Sequence, residues 1–84
     1  MLYPTAFSQS RAITKHDSTN FDVNLKGGLC DAVWVGGAGT LAAVFQDGSV
    51  VDFECIAGQY LPIKIKRVNS TGTDADLMVA LYAV

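Results

Sequence analysis

Histidine and glutamate each occur once, at His16 and Glu54, cysteine and proline twice each, and charged residues make up only 17% of the 84-residue chain. Each scarcity excludes something. A zinc site needs clustered ligands, and Cys30 and Cys55, far apart in sequence, supply no close pair with which His16 could seed one. Acid–base catalysis needs several titratable groups converging in a cleft, so no enzyme and no cofactor are expected. Six Lys+Arg against eight Asp+Glu leave a formal net charge of −2, without the basic field that condenses on nucleic acid or anionic lipid. No apolar run is long enough to cross a bilayer, and residues 1–10 lack the basic-then-apolar pattern of a signal peptide, so neither a membrane nor a secretory route is expected. In that setting the two cysteines fit reduced, buried thiols better than a disulfide framework.

What the chain does have is apolar surface, with 50% of its residues hydrophobic. A single domain of this size buries only a modest fraction of its surface, so something beyond one small core must cover the remainder. Residues 1–26 are rich in Ser, Thr, Asn and Asp, with Tyr3, Phe7, Ile13, Phe21 and Val23 widely spaced. They read as an extended N-terminal arm with one short strand candidate at 11–15. Residues 27–84 read as a β domain: a strand over 29–35 stopped by Gly36-Gly37-Ala38-Gly39, a hairpin of 40–46 and 49–54, a strand over 60–68, a loop at 69–76 and a final strand over 77–84. Asp47-Gly48 between two apolar runs predicts a two-residue type I′ turn, with Gln46 opposite Ser49. The pairs Val44/Val51 and Ala42/Phe53 then share the expected core face. Leu61, Ile63 and Ile65 alternate with Lys64 and Lys66, and Pro62 marks an edge or a strand start. With no helix of ordinary length, the expected fold is all-β, a small antiparallel β-sandwich or barrel.

Several local patterns tempt toward chemistry. Gly37-Ala38-Gly39-Thr40-Leu41-Ala42 contains G-x-G-x-x-A after a strand, but a dinucleotide site needs a helix N-terminus facing the pyrophosphate, and 40–46 is too short for a crossover helix. The plain reading is glycines that permit a tight turn and close backbone approach. His16-Asp17-Ser18 is no triad, because neighbours in an extended chain point apart; His16 is expected to be a locally bonded or exposed loop residue. Asp74 and Asp76 lack the ligand count of a calcium loop and fit turn formation. Lys64, Lys66 and Arg67 with Tyr60 resemble a small single-strand-binding face, set against solvated, edge-blocking lysines or partners for acidic residues. Trp34, Tyr60 and Tyr82 suit core or interface anchoring better than sugar stacking.

In 77–84 and in 32–35 both faces are apolar, unlike a half-solvated sheet, so the second face is expected to be covered by another sheet, the arm or a neighbouring subunit. Homo-oligomerisation or docking on a larger assembly follows. Val33, Trp34, Val35, Met78, Ala80 and Tyr82 are the candidate subunit interface. Gly36, Gly37, Gly39, Asn69, Thr71, Asp74 and Asp76 are the candidate contact-loop residues.

Asp17-Ser18-Thr19, Lys26-Gly27-Gly28-Leu29, the run from Val33-Trp34-Val35 through Gly39, Asp47-Gly48 with Val51-Asp52-Phe53, Ala57-Gly58-Gln59-Tyr60-Leu61-Pro62-Ile63-Lys64-Ile65-Lys66-Arg67-Val68 and the stretch from Ser70-Thr71-Gly72-Thr73 to Tyr82 occur in an order and spacing that covers Asp17 to the end of the chain. In these segments the sequence resembles the small head-spike base proteins of bacteriophages and gene transfer agents. The resemblance implies a non-enzymatic virion protein of β architecture, docked on the major capsid protein at the capsid surface and supporting a spike or fibre protein. It also implies assembly in the reducing host cytoplasm, in keeping with free cysteines. The expected oligomer is a pentamer or a trimer. A capsid cement (decoration) protein that locks capsomers, and a glycan-binding attachment module, are the alternatives.

Overall fold

The computed structural model describes residues 7–24 and 26–83. The first six residues and Leu25 of the arm, and Val84 of the final strand, lie outside the described residues. Seven strands form: β1 (Gln9–Ala12), β2 (Ala32–Gly37), β3 (Gly39–Phe45), β4 (Val50–Cys55), β5 (Gln59–Leu61), β6 (Ile65–Val68) and β7 (Asp76–Tyr82), with a 3-10 turn at Lys26–Gly28. They build a four-stranded sheet in the order β1-β7-β2-β5 and a three-stranded sheet in the order β4-β3-β6, antiparallel throughout. The architecture is a small β-sandwich. Between the sheets, Val33, Val35, Met78, Ala80 and Tyr82 meet Leu41, Ala43, Cys55, Ile65 and Val68, with Cys30 and Ala75 completing the core. Both cysteines are free and buried, and burial pushes both thiols up from their ordinary pKa.

Three expectations are corrected by this arrangement. The stretch 60–68 is two strands in different sheets, β5 paired with β2 and β6 with β3. Pro62 sits just after β5, where its missing N–H removes a ladder bond, and the chain crosses between the sheets over residues 62–64. The alternating pattern survives because Ile65 is core and Leu61 and Ile63 pack against it.

The hairpin is shifted by one residue from the expected register. Val44 pairs with Val50, Ala42 with Asp52 and Leu41 with Phe53. The Phe45 N–H donates to Ser49 O (2.9 Å) and the Gly48 N–H to Phe45 O (3.0 Å), so Asp47-Gly48 closes a three-residue loop in which Gly48 takes a left-handed φ of 88°. The Asp47 carboxylate accepts from both the Ser49 N–H and hydroxyl, which stabilises this longer turn and holds its pKa below the ordinary value. One residue of shift exchanges the faces of one strand against the other: Leu41 and Ala43 of β3 and Cys55 of β4 enter the core with Phe53 packed against it, while Val51, opposite Ala43, stays exposed.

The third correction concerns the candidate subunit interface. Val33, Val35, Met78, Ala80 and Tyr82 are buried within the single chain and offer no side-chain surface. The second sheet of the same chain covers them, so a neighbouring copy is not needed there. Of the six residues Trp34 alone is exposed.

Candidate interaction surface

Strand parity fixes what faces outward. Because Val33 and Val35 point into the core, Trp34 between them points to the outer face of the four-stranded sheet, where it is 41% exposed. Its cross-strand neighbours are Tyr60 on β5 and Val79 on β7. Gly36, the next outward position on β2, has no side chain; a Cβ there would lie 2.8 Å from the indole Cζ3 and 3.0 Å from Leu77 Cβ. The indole therefore lies against Gly36 and beside Leu77. Phe7 from the arm extends the row, its ring centroid 6.3 Å from that of Tyr60. Tyr60 is 45% and Leu77 72% exposed.

Leu77 carries a second signal. Its φ of +52° lies in the left-handed region, which costs a non-glycine residue roughly 1–2 kcal/mol. An apolar side chain is thus held in water by a backbone conformation that is itself unfavourable, a combination that clusters at functional sites. Strand alternation alone puts Leu77, Val79, Leu81 and Ala83 on one side of the final strand; that Leu77 and Val79 share a surface with Trp34 follows only from the β2–β7 register.

The candidate contact-loop residues come together at one corner. Gly36 and Gly37 belong to β2, and Gly39 opens β3 with only Ala38 between the strands. A methyl at Gly39 would sit 2.6 Å from the Ala75 nitrogen, and Gly39 holds φ +149°, so this position needs glycine for both space and conformation. Asp76 lies over Gly37. Asp74 and Ala75 donate their N–H groups to Thr40 O at 2.8 and 3.1 Å, and Asn69 donates to Ala42 O at 3.0 Å. Thr73 is buried, and its Oγ1 accepts from the Ala42 N–H at 3.0 Å. Asn69 Oδ1 accepts from Arg67 Nε, while the Thr71 N–H and hydroxyl both donate to Asp17 at 2.8 Å. These two donors hold the Asp17 carboxyl below its ordinary pKa. The loop therefore lies along β3, pinned from the arm, with Thr71, Asp74 and Asp76 exposed.

Charged groups serve the fold. His16 Nδ1 accepts from the Ser18 and Thr19 N–H groups, a local loop bond. Asp31, whose side chain is 5% exposed, receives Lys26 Nζ at 2.9 Å, the Ala83 N–H at 2.7 Å and Lys64 Nζ. Burial alone would raise its pKa, but the bonds from Lys64, Ala83 and Lys26 outweigh it and hold the carboxyl at about 2. Arg67 bonds Asn20 and Asn69. Tyr60 belongs to the four-stranded sheet, whereas Lys66 and Arg67 belong to the other, so the basic residues and the aromatic do not form one groove. The glycine run leads into β3, not into a helix. No group of three or more His, Cys, Asp or Glu that could hold a metal ion stands together among the described residues.

No protein-family model and no curated protein matches the sequence. A solved structure does: a chain of the structure described as "Capsid of native GTA particle computed with C5 symmetry" is 30% identical, with a TM-score of 0.78 over 90% of this chain and 83% of that one. The chain belongs to this family of virion proteins. The shared fold spans almost all of the described sandwich, so the exposed Trp34 row is carried on a family scaffold.

Proposed function

We propose that the protein docks on the surface of a phage or phage-like capsid and forms the base of a spike or fibre. The observation that carries this reading is the apolar row of Trp34, Tyr60 and Leu77 on the outer face of a sheet whose inner face is already filled. An aromatic pair beside an exposed leucine supplies the anchor type that dominates protein interfaces. The row binds the major capsid protein, and the corner built from Gly37, Gly39, Asn69, Thr71, Asp74 and Asp76 offers polar contacts to the fibre protein. The action is adhesion without chemistry, in a virion assembled in the host cytoplasm.

Co-sedimentation with capsids purified without this protein tests the reading. The wild-type chain pellets with the capsids, while Trp34→Ala and Leu77→Ser each lower affinity by about tenfold or more with the folded state retained. Variants that pellet as well as wild type overturn the assignment of the row. Decorated capsids that resist heating better yet recruit no fibre identify a cement protein.

A further inference from the structure

A cluster of polar side chains stands apart from both the Trp34 row and the Asp31 network. After β1 the arm straps one flank of the sandwich. It is anchored to β7 by the Ile13 N–H to Met78 O and to β6 by the His16 N–H to Val68 O and the Phe21 N–H to Lys66 O. Between this strap and the inner side of β1 and β7 lies a cavity of about 320 Å³, to whose lining Arg11, Thr14, Thr19, Asn20, Asp22 and Tyr82 bring polar groups.

Two of these groups are left without the partners their chemistry calls for. Tyr82 is only 1% exposed, yet its hydroxyl has no hydrogen-bond partner among the described residues. A buried hydroxyl left unpaired is costly to the fold. Burial pushes the phenol up from its ordinary pKa, with smaller effects from Cys30, Arg11 and Asp22, so the group stands in the cavity as a neutral donor. Arg11 pairs across the ladder with the buried Ala80, which sets its side chain on the same side of the sheet as Tyr82. Its guanidinium bonds the neighbouring Ser10 carbonyl at 2.8 Å and meets no carboxylate among the described residues, so most of its five N–H donors are unused. Asn20 Oδ1 accepts from Arg67 at 3.0 Å, which orients the amide and leaves its NH2 group to donate.

We propose that this cavity binds a carboxylate, held by the Arg11 guanidinium and the Tyr82 hydroxyl, with the Asn20 amide as a further donor. The lining is rich in donors, and the planar fork of an arginine matches the two oxygens of a carboxylate. Asp22 sets the limit on charge. Its carboxylate lines the same cavity, with Oδ1 turned to the Asn24 N–H at 2.9 Å, and it repels a doubly charged anion more strongly than a singly charged one. The carboxylate belongs either to a small free acid or to an acidic side chain of a protein. The cavity lies on the inner side of the four-stranded sheet and the Trp34 row on the outer, so this site stands or falls independently of what the row binds.

NMR titration of the purified full chain, without capsids, tests the proposal. The probes are acetate, acetamide and phosphate at matched ionic strength, and two end-blocked peptides that differ only in carrying glutamate or glutamine. Acetate is expected to give saturable shifts at the Arg11 Nε–H and the Asn20 side-chain amide, acetamide none, and phosphate weaker ones. Arg11→Gln and Tyr82→Phe each weaken acetate binding by about tenfold. Tyr82→Phe leaves the urea midpoint unchanged or raised, because the hydroxyl has no partner within the fold to lose. A glutamate peptide that binds more tightly than acetate identifies a carboxylate carried by a protein, and one that does not identifies a small free acid; either upholds the site. Absence of saturable shifts with both acetate and the glutamate peptide, a response to acetamide or phosphate equal to that with acetate, or variants that bind as well as wild type overturns it.

Discussion

Residue-scale chemistry divides into positions that the fold demands and positions that it merely tolerates. Gly39 is demanded: its φ and the adjacent Asp74–Ala75 backbone leave no room for a methyl. Gly39→Ala is expected to cost about 2 kcal/mol or more, read as a lower urea midpoint at unchanged slope. Leu77 is tolerated against its conformational preference. Leu77→Gly relieves the left-handed strain and is expected to stabilise the chain by up to about 1 kcal/mol while weakening capsid attachment. Gain of stability and loss of binding in one variant separates a surface kept for a partner from one kept for the fold. The strain itself was invisible in the sequence, because a leucine in an alternating strand gives no sign of a positive φ.

Elements here depend on bonds from outside the ladder. β3 is flanked by β4 on one side and, beyond the short β6, by the 69–75 loop on the other, and Thr73 supplies the bond to the Ala42 N–H. Thr73→Val leaves that amide unpaired and is expected to cost about 1–3 kcal/mol in thermal or urea unfolding, whereas Thr73→Ser retains the hydroxyl and loses far less. The hairpin shows how much of an element can be legible. Both strands and the turn were readable from Asp47-Gly48 and the apolar runs around it. The register was not, since a two-residue and a three-residue loop use the same dipeptide, and Ser49 bonding to Asp47 favours the longer one. That single residue decides which faces of β3 and β4 are core.

The whole molecule is closed at one end by Asp31, which gathers the 3-10 turn through Lys26, the crossing segment through Lys64 and the end of β7 through Ala83. Its folded pKa of about 2 lies below the ordinary 3.8. The unfolded chain therefore takes up the proton first on acidification, so the stabilisation is complete above about pH 4 and is lost as pH falls toward 2. Asp17 and Asp47, also held low, act in the same direction. Urea unfolding across this range is expected to show falling stability, and Asp31→Asn to be less stable at neutral pH with a flatter acid limb.

The sequence by itself determined the fold class and most strand positions, because alternation, turn residues and composition act over a few neighbours. It also pointed to the glycine corner as a close approach of backbones. Only the tertiary structure decided that Val33, Val35, Met78, Ala80 and Tyr82 are covered by the chain's own second sheet and that Pro62 splits one alternating run between two sheets. The physical reason is shared. An apolar face states that it must be covered but not by what, and the cover comes from residues distant in sequence whose arrival depends on register and on how the two sheets pack.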